Sequence, residues 1–99
     1  MPWKEWRNFL PDGFELYVER ESKNGRLLTF VVVLLCNGTD IARYDNAHDA
    51  PHLDRMGRKN AKLINKVWYE NLSNEEAFRH AIVDFSENYT EHFAFYCNH

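Results

Sequence analysis

The sequence has few of the features that are typical of a protein without a hydrophobic core, such as many cysteines, many glycines and prolines, or a large net charge. It has only two cysteines, Cys36 and Cys97, among 99 residues. A disulfide framework is therefore excluded, and we expect free thiols in a reducing compartment. Four glycines, three prolines and a net charge of -3 exclude collagen-like, linker-like and disordered chains. With 44% apolar residues, the chain is predicted to fold as a single domain over residues 1–99.

Long apolar runs are also lacking. The longest, Leu27 to Cys36, is interrupted by Thr29 and is about half the roughly 20 residues that a membrane-spanning helix needs. The first residues mix charged and aromatic side chains and do not form the basic and apolar regions of a signal peptide. We therefore predict a cytoplasmic protein with no membrane partner.

Two Asn-Gly pairs are the strongest structural signal in the chain. Asn-Gly favours the two-residue type I′ turn, because both positions need a positive φ. The pairs at 24–25 and 37–38 predict an antiparallel meander with strands at Phe14 to Lys23, Arg26 to Cys36 and Thr39 to Asn46. Counting back from these turns predicts that Val31 lies opposite both Val18 and Tyr44.

The same count assigns side chains to the two sheet faces. One face is a predicted core, made of Phe14, Leu16, Val18, Val31, Val33, Leu35, Ala42 and Tyr44. The other is partly apolar, with Leu28, Phe30, Val32, Leu34 and Ile41. Because a central strand that is apolar on both sides needs two covers and only one clear helix is present, we predict a homodimer or ligand contact on the second face. A noncatalytic dimerisation or protein-interaction module is the corresponding alternative function.

One helix is predicted near the C-terminus. It begins at Ser73, where the residues Ser-Asn-Glu-Glu have the pattern of a capping box. Helical spacing predicts a buried face of Phe78, Ile82, Phe85, Tyr89, Phe93 and Tyr96, and a solvated face of His80, Asp84, Glu87 and Glu91, with His92 at its edge.

The segments that flank the meander are predicted as a strand from Lys62 to Tyr69 and a helical turn from Pro2 to Leu10. The predicted fold class is therefore α+β, with an antiparallel meander sheet of about four strands and one C-terminal helix packed on one face.

The candidate chemistry lies in the predicted loop between Arg43 and Gly57. Two histidines, His48 and His52, are the near-neutral titrating groups of this loop, and Asp45 or Asp54 can orient an imidazole. We predict His48 and His52 as an acid–base pair, Asp45 as the orienting carboxylate, and Arg43 and Arg55 as groups that hold an anion. Such a set suits cleavage of a phosphodiester in RNA.

Two other interpretations of this loop stay open. A metal site would use His48, His52 and one carboxylate among Asp45, Asp49 and Asp54. The third interpretation is structural, because Asp and Asn close turns by local hydrogen bonds. We predict no cofactor.

A basic run follows this loop. It contains Arg55, Arg58, Lys59, Lys62 and Lys66 and no acid. These cations can follow a phosphate backbone while Trp68 and Tyr69 stack on bases. A solvated surface, or cations that face an acidic helix of a partner, are the alternatives.

The string Arg43-Tyr44-Asp45-Asn46 with His48, His52, Asp54 and Gly57, followed by a short strand and one helix, resembles TumE-type toxins of two-gene prokaryotic toxin–antitoxin pairs. It also resembles a neighbouring family of uncharacterised small prokaryotic proteins. The resemblance implies a toxin-like protein with a small antitoxin protein as its partner.

Overall fold

A computed structural model describes residues 3–47, 50–59 and 63–99. These residues form one antiparallel sheet of six strands in meander order and one long helix. The elements are β1 Trp3–Phe9, β2 Phe14–Lys23, β3 Arg26–Cys36, β4 Thr39–Asp45, β5 His52–Met56, β6 Leu63–Trp68 and α1 Asn74–Asn98, with a 3-10 turn at Pro11–Gly13. The α+β class, the meander and the C-terminal helix are confirmed, whereas the sheet has two more strands than predicted.

The two predicted hairpins are present. Asn24 and Gly25 have φ values of 54° and 75°, and Asn37 and Gly38 have 49° and 83°. All four residues therefore adopt the left-handed backbone that the type I′ turn requires. The strands β2 and β3 have the predicted bounds, and β4 ends one residue earlier than predicted, at Asp45.

The predicted register is wrong by one residue. Val32, not Val31, lies opposite both Val18 and Tyr44. The register shifts where Glu21 pairs with Thr29 while Ser22 pairs with Leu27, and shifts again between β3 and β4 beyond Leu34. Each shift adds one residue to a strand, a β-bulge, and a count from the turn cannot reveal such an insertion.

The shift exchanges the two faces of β3, so the predicted second apolar face is wrong. Phe30, Val32 and Leu34 are at most 2% exposed and belong to the core under the helix. Val31 and Val33 lie on the opposite face instead, beside Asp45 and Arg43. Because Phe30, Val32 and Leu34 are buried, they cannot form the predicted dimer contact. Dimerisation itself stays a prediction.

The helix α1 begins as predicted and covers one face of the sheet. Ser73 and Glu76 form both hydrogen bonds of the capping box. Phe78 and Phe85 are buried against the sheet, and α1 packs across β3, β4 and β5. Burying each of these side chains stabilises the fold by about 1.5–3 kcal/mol.

The N-terminal segment differs from the prediction. It is the edge strand β1, paired with β2 along its whole length, and not a helical turn. Trp6 packs edge-on against Phe78 of α1, with ring centroids 6.3 Å apart. The backbone of β2 therefore supplies the hydrogen bonds that a helical turn would have made internally.

The region after β4 differs in part. The strand predicted between 62 and 69 is confirmed as β6. The segment predicted as one loop from Arg43 to Gly57 contains the end of β4 and all of β5. No helix within the described ranges is long and apolar enough to span a membrane.

Candidate functional site

A group of charged side chains lies on the sheet face opposite α1. We call it the open-face cluster, made of Arg43, Asp45, His52, Asp54 and Lys66. In the register of the sheet, Asp54 of β5 lies between Arg43 of β4 and Lys66 of β6, and Asp45 lies opposite His52. Because directly opposed residues point to the same side of a sheet, all five side chains share one face.

The cluster has a buried layer and an exposed layer. Asp45, His52 and Asp54 are 6%, 2% and 3% exposed. The side chains of Arg43 and Lys66 are 42% and 31% exposed. The acids and the imidazole therefore lie beneath two cations that reach solvent.

The orientation of the His52 ring is fixed by the backbone. Its Nδ1 lies 3.0 Å from the carbonyl oxygen of Ala50. Because a carbonyl oxygen only accepts, Nδ1 carries the proton in that bond. The other nitrogen, Nε2, points at the carboxylates, 3.2 Å from Asp45 Oδ1 and 3.6 Å from Asp54 Oδ2.

Arg43 and Lys66 compensate the two carboxylates. Arg43 Nε lies 3.0 Å from Asp45 Oδ2, and Arg43 Nη2 donates a long, 3.4 Å hydrogen bond to Asp54 Oδ2. Lys66 Nζ lies 3.3 Å from Asp54 Oδ1. That contact is an ion pair without hydrogen-bond geometry, so Asp54 Oδ1 is buried and accepts no hydrogen bond. The charges balance while the hydrogen bonding of the cluster is incomplete.

An aromatic side chain borders the cluster. The Trp68 ring lies 4.9 Å from the His52 ring and 5.2 Å from Lys66 Nζ, measured to ring centroids. The residue is 45% exposed. The site therefore offers two cations and an accessible aromatic ring on one surface.

The string from Arg43 to Asn46 alternates between the two sides of the sheet. Asn46 follows β4 and forms two hydrogen bonds with the backbone of β3 at the bulge. Its amide donates to the Leu28 carbonyl at 2.8 Å and accepts from the Phe30 N–H at 3.1 Å. Asp45 Oδ1 accepts from the Ala47 N–H at 2.9 Å, which closes a local turn. The string thus positions the cluster as well as contributing to it.

A second buried His–Asp group lies on the helix side of the sheet. We call it the covered-face triad, made of Tyr44, Asp84 and His92. The Tyr44 hydroxyl donates to Asp84 Oδ2 at 2.7 Å, and His92 Nε2 donates to the same oxygen at 2.8 Å. Asp84 and His92 were predicted on or beside the solvated helix face, but Asp84 is half-buried and His92 is buried.

The triad shifts the ionisation of two of its members. Burial alone would raise the pKa of Asp84, but hydrogen bonds from His92, Tyr44 and Asn88 lower it well below its usual range. Burial and the hydrogen bond to Asp84 raise the pKa of the Tyr44 hydroxyl. The triad lies between sheet and helix and holds Asp84 as a carboxylate.

Three of the five predicted site residues converge. Arg43, Asp45 and His52 lie in the open-face cluster. Arg55 does not join them, because it faces α1, donates twice to Asn65 Oδ1 and places its guanidinium 4.1 Å from the centroid of the Phe95 ring. His48 lies outside the described residues, so its predicted pairing with His52 stays a prediction.

Lys66 was not among the predicted site residues. The signal was alternation, since His52 and Asp54, like Lys66 and Trp68, are two residues apart in one strand and so point to one face. That signal becomes readable only when β5 is identified as a strand.

The fold and the cluster define an α+β protein with one helix-covered sheet face and one charged open face. The chain matches, over residues 1–98, the family described as a domain of unknown function (DUF7718), and it belongs to that family. Neither the curated proteins nor the solved structures include a significant match. Function is therefore inferred from the geometry of the open-face cluster.

Proposed function

We propose that this chain is a small toxin-like protein that acts on RNA through the open-face cluster. The single observation that carries the proposal is the layering of the cluster. Solvent-reaching Arg43 and Lys66 lie above buried carboxylates and beside the exposed ring of Trp68.

Cations in this position suit the phosphates of a nucleic acid. Arg43 and Lys66 are held by Asp45 and Asp54 from below, and both side chains reach solvent, so binding a phosphate costs them little further side-chain entropy. A polyanion that approaches this face gains Coulomb attraction and releases counterions.

Trp68 supports a single-stranded substrate. An exposed indole beside a cation is a surface on which an unpaired base can stack, with about 1–3 kcal/mol per base. The bases of a duplex are already stacked on one another, so the ring offers them less. Single-stranded RNA is therefore the proposed substrate class.

The proposed reaction is internal transesterification. The 2′-hydroxyl of RNA loses its proton and its oxygen forms a bond to phosphorus, while the bond to the 5′-oxygen breaks and that oxygen takes up a proton. The products are a 2′,3′-cyclic phosphate and a 5′-hydroxyl, and no co-reactant is consumed. Arg43 and Lys66 would stabilise the negative charge of the phosphorane.

The burial of His52 limits its part in this reaction. One ring nitrogen donates to Ala50 and the other faces Asp45, so the ring is better placed to organise the site than to exchange protons with a polymer. The acid–base role predicted for His48 remains part of the proposal.

The toxin-like role is supported by the resemblance to TumE-type toxins, which extends from Phe30 to Tyr89 and is most specific in the Arg43-Tyr44-Asp45-Asn46 string with His48 and His52. On that basis we propose a small antitoxin protein as the partner and the cytoplasm as the location.

The test is cleavage of a labelled single-stranded RNA by the purified protein. We expect shortened products that end in a cyclic phosphate, and at least a tenfold slower reaction for Lys66→Gln. The matched control is Lys23→Gln, an exposed lysine at the far end of β2, which should cleave like the wild type. If the wild type leaves the RNA intact, or both variants are equally slow, the proposal fails.

The interaction module is the second candidate. Its support is the exposure of apolar side chains on both edge strands, with Trp3 and Phe9 of β1 at 46% and 80% and Leu63 of β6 at 46%. Light scattering after gel filtration tests it, since a monomer at high concentration would remove the proposed homodimer.

A further inference from the structure

We propose that the open-face cluster binds a divalent metal ion through Asp45 Oδ1, His52 Nε2 and Asp54 Oδ2. The inference concerns the site of the proposed function and relies on that function only for the role of the cation. The binding itself follows from the donor geometry.

The three donor atoms lie close to one another. The three side chains each offer one ligand atom, and these atoms all lie within 4.8 Å of one another. Nε2 is 3.2 Å from Asp45 Oδ1 and 3.6 Å from Asp54 Oδ2. Ligands about 2.1 Å from a metal are separated by about 3.0–3.4 Å at octahedral or tetrahedral angles. Rotations of the two carboxylates that bring all three separations into this range would complete the site.

The same distances suit a shared proton less well. A charge-assisted hydrogen bond between an imidazolium and a carboxylate has a length of about 2.7–2.9 Å, and both contacts of Nε2 are longer. Nδ1 donates to Ala50, so Nε2 is the nitrogen available as a metal ligand, and it already faces both carboxylate oxygens.

Two further features point to a ligand. Asp54 is 3% exposed, and its Oδ1, the second oxygen of a proposed ligand carboxylate, is buried without a hydrogen bond and has an ion-pair contact of 3.3 Å to Lys66 Nζ. The bond from His52 Nδ1 to the Ala50 carbonyl is the outer contact that orients metal-binding histidines and raises the basicity of the other nitrogen. Asp45 Oδ1 already accepts from the Ala47 N–H, and a carboxylate oxygen has a second lone pair for the metal.

The exposed layer can make way for the ion. The contacts of Arg43 and Lys66 to Asp54 are 3.4 Å and 3.3 Å long, and both side chains reach solvent. When a divalent ion supplies the positive charge, these cations are released to bind substrate phosphate. One imidazole and two carboxylates favour a first-row ion such as Mn²⁺ or Zn²⁺ over Mg²⁺, which prefers oxygen ligands.

The first experiment titrates the wild-type protein with Mn²⁺ and follows the three tryptophan indole N–H signals by NMR. Trp68 packs on His52, whereas Trp6 packs on Phe78 across the sheet and Trp3 lies on the distant edge strand. Paramagnetic broadening should remove the Trp68 signal first. Equal broadening of all three signals, or none, overturns the site.

The second experiment measures Zn²⁺ binding by calorimetry. Asp54→Asn should weaken binding at least tenfold, while Asp40→Asn, the same change at an exposed position of β4, should leave it unchanged. Equal affinity of the Asp54→Asn variant and the wild type contradicts the inference. The wild-type NMR titration decides the question even if the Asp54→Asn variant folds poorly.

A third measurement separates this inference from the proposed function. RNA cleavage is assayed after treatment with EDTA and again after Mn²⁺ is added back. Loss and recovery of cleavage support both proposals. Site-specific binding of metal without cleavage supports the inference and removes the function, whereas undiminished cleavage in EDTA keeps the function and overturns the role of the metal in releasing Arg43 and Lys66 for substrate.

Discussion

The two buried His–Asp groups of this protein lie on opposite faces of one sheet and differ in how completely their carboxylates are hydrogen-bonded, although His92 Nδ1 of the covered-face triad is also buried without a hydrogen bond. In the covered-face triad, Asp84 receives hydrogen bonds from Tyr44, Asn88 and His92. In the open-face cluster, Asp54 has longer contacts to Arg43 and Lys66. A carboxylate with well-aligned donors stabilises a fold, whereas one that is incompletely paired remains available for a ligand.

The two faces of the sheet also differ in what buries their side chains. The covered face holds the apolar side chains of β2, β3 and β4 against α1. No helix of the described segments packs on the open face. Val33 is buried there, and its partners in the register are Tyr17 and Arg43. Stability should therefore depend mainly on the covered face, and binding on the open face.

The largest expected effect comes from Phe85→Ala on the covered face. Phe85 is fully buried, and its removal should cost about 3–5 kcal/mol, because a cavity remains where the ring was. Urea denaturation measures the change. The matched control, Val83→Ala, lies on the exposed side of the same helix and should change stability by less than about 0.5 kcal/mol. Similar losses for both variants would contradict the assigned helix face.

The next effect is smaller and compares the loss of stability when Asp84 or Asp54 is replaced by Asn. Asp84→Asn should cost about 1–3 kcal/mol, because Tyr44 and His92 lose a charged acceptor in a buried position. Asp54→Asn should cost less than about 1 kcal/mol, since Arg43 and Lys66 can turn to solvent. Both are measured by denaturation in EDTA. A larger loss for Asp54→Asn would make the open-face cluster a stabilising network and undo the contrast.

The pH dependence of stability sharpens the same contrast. The pKa of Asp84 is lowered in the folded protein, so its contribution is fully present above the unfolded value of about 3.9 and is lost as the pH falls toward the folded value. The stability difference between the wild type and Asp84→Asn should therefore shrink below about pH 4. Denaturation curves between pH 2 and 7 measure this difference. A constant difference would mean that the triad does not depress the pKa of Asp84.

The smallest expected effect is at the exposed pair of Arg7 and Glu15. Arg7 Nη1 lies 2.8 Å from Glu15 Oε2, but the Arg7 side chain is 52% exposed. Arg7→Ala should cost about 0.2–1 kcal/mol in low salt, and less in 1 M salt, because exposed pairs are screened. Thermal denaturation at the two salt concentrations gives the answer. A loss above 2 kcal/mol would show that charge on the open face contributes to stability as strongly as the covered core.

Local chemistry determined much of this fold. The Asn-Gly pairs, with positive φ at Asn24 and Asn37, set two hairpins, since few other residue pairs accept that backbone. Ser73 and Glu76 set the start of α1 through bonds within one turn. These features were predictable because each depends on residues close together in the chain.

The remaining features were decided by the tertiary structure. The bulges of β3 and β4 exchange the faces of Val31 and Val32, so that Val32 and not Val31 packs in the core under α1. Arg43, Asp45 and His52 were predicted as a site, but Lys66 joins it only because β6 pairs with β5. Arg55 lies on the other face for the same reason. Interactions between residues close together in the chain set the turns and the start of the helix, whereas strand pairing decided which side chains meet, because the contacts that fix pairing join residues far apart in the chain.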